Sequence, residues 1–589
     1  MQSKLAWLVH TGGCETGPAV PEPGNHNIVY VSCKGRFGVF DKRTGQEKGY
    51  YLGAANMYGH NPKDLRYRFQ RVSPVHVSPH NPGVVYQGSQ YLHPTSDDGV
   101  TWETISPDLT ANEADKQVIS GSPITRDITG EEFYSTLYAI RESAVQAGVI
   151  WTGANDGPVY VSRDNGENWR NVTPRMPKGG RVDSVEPSPH DAATAYVTVL
   201  RYQLADWKPY VYKTDNYGER WTLLTNGSNG IPEDYPVRVV REDPVRPGLL
   251  YAGTEYGMFV SLDDGANWLP FQQNLPVTPV TDIKVYRGDL AISTMGRGFW
   301  ILDNVTTLRQ AAFDLRDDAL VLFQPKDSYR YRSAYSDNSG VPDYPRPSVL
   351  IDYYLPAEAA GTVQLDILDM AGNVVNSYRN ATDDQQAEAA ESRDMARNEI
   401  DYVVDETLSA KKGLNRFRWD MTHRGAWHKD AKRSYRNGPM AAPGRYRVRL
   451  TVGDRGAEHG FELRADPRVL EFGTSLADME QQVALELQIQ ELLSDARRLE
   501  DRLSQEKETL TKARDNGAMN ATQEARFDSV KVALELLTTA KGTYMQPMLI
   551  DQIEYLYGML DDADQAPGGE AIERFDALKS EMDKVRNIL

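Results

Sequence analysis

One signature, written four times, constrains this chain more than anything else in it. It reads Ser/Thr-x-Asp/Asn-x-Gly-x-x-Trp, from Thr95 to Trp102, Ser162 to Trp169, Thr214 to Trp221 and Ser261 to Trp268. Each residue type has a local task. The hydroxyl and the Asx side chain hydrogen-bond nearby backbone, the Gly supplies a positive φ, and the Trp carries a large apolar face into a core. Such a unit is a hairpin turn locked between two strands. Asn216 fills the slot held elsewhere by Asp97, Asp164 and Asp263, and an amide oxygen can hold a turn but cannot act as a catalytic acid. Asp97, Asp164, Asn216 and Asp263, with Trp102, Trp169, Trp221 and Trp268, are therefore expected to be structural.

A second signal keeps the same period. A strand-like run ends in an aromatic at Tyr30, Tyr86, Trp151, Tyr196 and Tyr251, at steps of 45 to 65 residues. Units of that length, each with about four short strands, read as blades of a β-propeller. A degenerate first unit turns at 40–45 and a last one runs through 285–302. The count is six blades, or seven if the N-terminal strand completes a ring, over residues 1–305.

These stretches also carry a resemblance. The signature is similar to the Asp-box, or BNR repeat, of sialidases and of sortilin-type (VPS10) receptors. Asp64-Leu65-Arg66-Tyr67-Arg68-Phe69-Gln70, Ile105-Ser106-Pro107-Asp108-Leu109-Thr110, the run Val237 to Pro244 and the run Gly296 to Asp303 narrow it further. Over nearly its whole length the chain resembles bacterial BNR-repeat proteins labelled glycosyl hydrolase or sortilin-like, and it looks like their C-terminal portion. The resemblance implies an extracytoplasmic protein, periplasmic or secreted, that holds a peptide, protein or glycan ligand. It also implies further propeller repeats, supplied by a longer precursor or a separate subunit. Residues 1–10 are too short and polar for a signal-peptide core, and no run approaches the roughly 20 apolar residues of a membrane span.

After Asp303 the repeat stops. Residues 306–346 read as a linker, and 347–468 as an Ig-like β-sandwich from the alternation in Val349 to Tyr354, Val363 to Asp369, Leu414 to Asp420 and Gly444 to Val452. A charged insertion interrupts it at 381–410. From 469 to 589 the pattern is helical. Ser475 and Asp478 suit a capping box, and Leu485, Ile489, Leu492, Ala496, Leu499 and Leu503 form an apolar stripe. A small α-helical bundle is expected there, with a dimerising coiled coil as the alternative. The whole is mainly β with a helical end.

Composition excludes more than it selects. The 589 residues carry 83 acidic and 65 basic side chains, a net charge of −18, which disfavours nucleic acid and anionic lipid as partners. Two cysteines, Cys14 and Cys33, cannot staple a fold of this size, and the sequence leaves open whether they pair.

In a propeller, function sits at the mouth of the central channel. The charged residues at repeat starts are Arg181, Asp183, Glu186, Arg201, Arg238, Glu242 and Glu255, with Asn155 and Asp156 in a corresponding place. Arg181, Arg201, Arg238 and Glu255 are the candidate ligand-binding residues. Thr125 and Asp127, on the long insertion 121–132, join them as a binding loop. Glycoside hydrolysis would need a carboxylate pair, for which Asp156, Glu186 and Glu255 are the candidates. The Arg-Ile-Pro element that opens a sialidase is absent; Arg175-Met176-Pro177 follows a signature turn instead. His76 and His80 are separated by Ser78-Pro79, so their spacing makes no helical face for a metal. No phosphate loop occurs either, so neither metal nor cofactor is expected. The favoured function is a sortilin-like binding or scaffolding protein, and the alternative is a glycoside hydrolase with carboxylates at the channel mouth.

Overall fold

Short β-branched and aromatic runs, each closed by a Gly or Asx turn, can pair only with their sequence neighbours, and this dictates a chain of small meanders. The computed structural model describes residues 11–13, 17–121, 125–126, 133–311, 320–332, 347–380, 407–430 and 433–589. Two compact units divide the chain, Met1–Phe313 and Asp314–Leu589. The first holds six antiparallel sheets in series, over 19–51, 75–95, 137–171, 181–223, 237–270 and 280–302. Within each, strand order follows chain order. The first strands Leu137–Glu142, Arg181–Pro187, Val237–Glu242 and Val280–Tyr286 lie side by side, each sheet packing on the next. Apolar cores sit between neighbours, as where Val182, Val185 and Val199 meet Trp151 and Val161.

The repeated signature makes the joints. In every copy the hydroxyl accepts from the glycine amide, at 2.9 Å for Thr95, 2.8 Å for Ser162, 2.9 Å for Thr214 and 2.8 Å for Ser261. The Asx oxygen accepts from the amide four residues on, at 2.9 Å in all four. The indole then reaches backwards. Trp169 donates to the Ile105 carbonyl (2.8 Å), Trp221 to Val172 (2.6 Å) and Trp268 to Leu224 (3.4 Å). Each acceptor lies three residues beyond the Trp of the preceding unit. Trp102 meets Phe37 edge-on at 5.1 Å. The sixth sheet lacks the signature, and the face bearing Phe299 (87% exposed) and Ile301 (68%) is uncovered, while Trp300 and Leu302 reach the core on the other side.

In the second unit, two sheets of three and five strands share a core of Ile351, Tyr353, Ile367, Phe417, Trp419, Val448 and Phe461. The expected linker is amended here. Val321–Leu322 pairs with Val349–Leu355, and Ser328–Arg330 runs parallel to Arg455–Ala465. These strands are two and three residues long, too short to show a period against their polar surroundings. Residues 381–406 of the charged insertion lie outside the described residues. Ser475 and Asp478 form the expected capping box on Leu476–Asp515. That helix packs on Ala521–Leu537, Leu549–Leu560 and Gly569–Ile588 through Ile489, Leu499, Leu503, Val530, Ile553 and Leu578. At the junction of sandwich and helices, Arg330 and Arg332 bond Asp564 at 2.5 and 2.8 Å, and Arg332 bonds Asp561 at 2.9 Å. No helix among the described residues is long and apolar enough to cross a membrane.

Candidate functional site

The first strands of the third to sixth sheets share a defect. Each carries a β-bulge at its start, at Tyr138, Asp183, Arg238 and Thr281. A bulge inserts one unpaired residue and re-aims its side chain, so these four positions are equivalent. Three residues further on, Arg141, Glu186 and Arg241 stand opposite the aromatics Trp151, Tyr196 and Tyr251. His76 holds that place opposite Tyr86 in the second sheet, and Lys284 holds it opposite Ala291 in the sixth. Two layers of polar groups result.

The bulge layer is a closed network of ion pairs. Asp183 accepts from Arg181, which bonds it through two nitrogens, the second at 3.2 Å. Arg238 lies 3.7 Å from Asp183 and 2.6 Å from Glu255. Two tyrosines flank it, with Arg181 over the Tyr138 ring at 4.5 Å and Arg238 over Tyr202 at 5.9 Å. Burial, then the Asp183 charge, pushes the Tyr138 phenol up. Of the candidate ligand-binding residues, Arg181, Arg238 and Glu255 are thus brought together. Arg201 is not among them. Its guanidinium bonds Asp206 at 2.8 Å and the carbonyls of Pro177 and Lys178 at 3.0 and 2.7 Å, which fastens the preceding loop. Thr125 is exposed, its amide bonding the Gly121 carbonyl; Asp127 lies outside the described residues.

The second layer is richer in positive charge. Glu186 lies between Arg241 (3.4 Å) and Arg141 (3.9 Å). Arg241 also bonds Asp282 (2.7 Å), the Ser184 hydroxyl (2.6 Å) and the carbonyls of Ile283 and Val240. Burial, then Arg241, lowers the Arg141 guanidinium, and burial, then Arg141, lowers the Lys284 ammonium. His76 is held well below the ordinary imidazole range by burial, Arg141 and Lys284. Solvent nevertheless reaches Lys284 and part of Arg141.

The candidate carboxylates are dispersed. Asp156 is raised by burial and accepts from the Ala111 and Asn112 amides at 2.9 and 3.3 Å. It belongs to neither layer. Glu186 and Glu255 are in different layers, each on arginines. The signature acids Asp97 and Asp164 are exposed, with carboxyls lowered by the bonds of their own turns. Among the described residues no three His, Cys, Asp or Glu side chains are placed to hold a metal. Cys33 is disulfide-bonded; Cys14 lies outside the described residues. A cavity of about 380 Å³ lies elsewhere, on the 51–69 loop, lined by Tyr51, Tyr58, Tyr67 and Phe69.

Counting from repeat starts names Arg181, Asp183, Arg238 and Glu255, but not Tyr138, and not Arg141, Arg241 and Lys284 as a set. Arg141 and Arg241 each face the aromatic that flags the second strand, a pairing that the bulges hide until the register is known.

No protein-family model matches the chain, and no curated protein matches it. Solved structures do. A GH74 xyloglucanase from Xanthomonas campestris is 14% identical over 74% of this chain and 66% of its own, with a TM-score of 0.36. An ancestral GH74 enzyme is 14% identical over 56% and 40%, with a TM-score of 0.30. YCF48 bound to D1 peptide is 12% identical over 47% and 74%, with a TM-score of 0.31. The chain thus spans less than half of the ancestral enzyme, and at these TM-scores none of the three bears on the mechanism.

Proposed function

We propose that the six sheets are blades of an Asp-box β-propeller in the sortilin-like manner, and that it binds a peptide or protein partner at a channel mouth formed by Tyr138, Arg181, Asp183, Arg238 and Glu255. The ring reading is supported by the coupling of His76 to Lys284. They stand on the second and sixth sheets, four places apart in the series. The sandwich over 347–468 is read as Ig-like, and an extracytoplasmic setting goes with the whole. The uncovered face of the sixth sheet is where a further blade, from a partner subunit or a longer precursor, would continue the series.

One observation favours binding over hydrolysis: every candidate carboxylate already has an internal partner. A glycosidase needs an acid kept protonated near a second, free carboxylate, about 5 to 10 Å apart. Asp156, raised by burial, accepts from two backbone amides, and Glu186 and Glu255 are paired with Arg241, Arg141 and Arg238. Arginine–tyrosine surfaces of the Arg181–Tyr138 kind suit peptide recognition, since aromatic and guanidinium groups dominate binding hot spots. The test is to pan a displayed random-peptide library on the intact protein and assay the same sample on a glycoside panel. Selected peptides should bind, with affinity about tenfold weaker in Tyr138→Ala, and no glycoside should be cleaved. Glycoside cleavage abolished by Glu186→Gln or Glu255→Gln would overturn the reading.

A further inference from the structure

The second layer holds one more cation than carboxylate. Arg141, Arg241 and Lys284 face two carboxylates, Glu186 and Asp282, and both carboxylates lie against Arg241. Arg241 is heavily engaged: two carbonyls, a hydroxyl and Asp282 each accept from it. Arg141 is not. It bonds its neighbour's carbonyl, at Ile140, and lies 3.9 Å from Glu186, beyond hydrogen-bond range. Lys284 has no carboxylate within 4.0 Å among the described residues, and the buried Nε2 of His76 has no hydrogen-bond partner there. Gathering like charges is costly, and the chain as a whole is strongly acidic, with a net charge of −18. An anion would remove that cost.

We propose that Arg141 and Lys284, with His76 beside them, bind a tetrahedral oxyanion of the phosphate or sulfate class. The donors come from the first strands of three different sheets, Val75–Val77, Leu137–Glu142 and Val280–Tyr286. They therefore approach from different directions. A carboxylate presents two oxygens in one plane, whereas a tetrahedral oxyanion presents oxygens all round and can meet three such donors at once. Lys284 and Arg141 are reachable from solvent, so the ion can enter. The site stands on the second layer alone, and peptide binding at the bulge layer can fail while this site is occupied.

Calorimetric titration of the full chain with inorganic phosphate, inorganic sulfate and phosphoserine tests it. One saturable site is expected. Lys284→Gln should weaken it at least about tenfold, the usual loss for a hydrogen bond to a charged group, and Arg141→Gln should act likewise. Lys208→Gln, at an exposed lysine on the fourth sheet's loop, should leave affinity unchanged. Equal affinity for phosphate and phosphoserine marks the free ion as sufficient; tighter phosphoserine binding marks an esterified group as the source. Either supports the site. Because Lys284→Gln removes a cation that lies near Arg141, the variant should melt no lower than the parent and so remains informative even where Arg141→Gln folds poorly. Absence of saturable heat with all three anions, or binding indifferent to Lys284→Gln, overturns the proposal.

Discussion

Asp164 and Asn216 occupy the same place in successive turns and accept from the same pair of donors, a hydroxyl two residues before and an amide four residues after. A carboxylate is thus dispensable there, but an acceptor is not. Asp164→Asn is expected to melt only slightly below the parent in scanning calorimetry, because the amide oxygen keeps both bonds and only the exposed bond from the Asn168 side chain to the second carboxylate oxygen, at 2.8 Å, is lost. Asp164→Ala is expected to melt lower, because the Asn168 amide and the Ser162 hydroxyl lose their acceptor. Equal melting of both variants would show that the turn does not depend on this residue. The same logic separates Arg201 from Arg238. The first is held by carbonyls and stiffens a loop, while the second sits among ionised partners and an aromatic ring.

Whole elements depend on the backbone as much as on side chains. Gly218 has φ +81°, and a Cβ there would lie 2.5 Å from the Val172 Cβ, in the joint between the third and fourth sheets. Gly296 has φ +95° but nothing within 4 Å. Gly218→Ala should therefore cost about 1–3 kcal/mol more than Gly296→Ala, the overpacking penalty added to a shared backbone strain. Comparative urea unfolding reads the difference directly. Much of this level was legible in the sequence. Four spaced signatures gave the sheets, the Asx–Gly turns gave their hairpins, and the Ser475–Asp478 pair gave the start of the long helix. What was not legible has a physical reason. Val321–Leu322 and Ser328–Arg330 are strands because of what they pair with, and a two- or three-residue segment has no period to betray it. The bulges at Tyr138, Asp183 and Arg238 shift register by a residue, so counting along a strand cannot say which charge faces which until the pairing is known. For that reason Arg141, Arg241 and Lys284 went unseen.

At the scale of the molecule, the second unit carries its own pH dependence. Glu486 is fully buried beside the Arg330, Arg332, Asp561 and Asp564 cluster, and burial, then the Asp561 charge, raises its carboxyl from 4.5 to about 7. Arg332, Gln482 and Arg330 pull the other way and are outweighed. The folded pKa exceeds the unfolded one, so this group's contribution is fully present below pH 4.5 and is lost as pH rises through about 7. The loss is on the order of 3 kcal/mol. Glu486→Gln should flatten the dependence across that window and melt above the parent at pH 8, with the two alike near pH 4; a parallel dependence in both proteins would rule Glu486 out. In the first unit the indole joints have a different consequence, one of timing. The carbonyls at Ile105, Val172 and Leu224 leave the ribosome before the tryptophans at 169, 221 and 268 that will cap them. The second, third and fourth sheets are each sealed by an indole from their successor, so over this stretch assembly during synthesis runs in one direction, and a nascent chain halted within it ends in one unfinished joint with completed ones behind it.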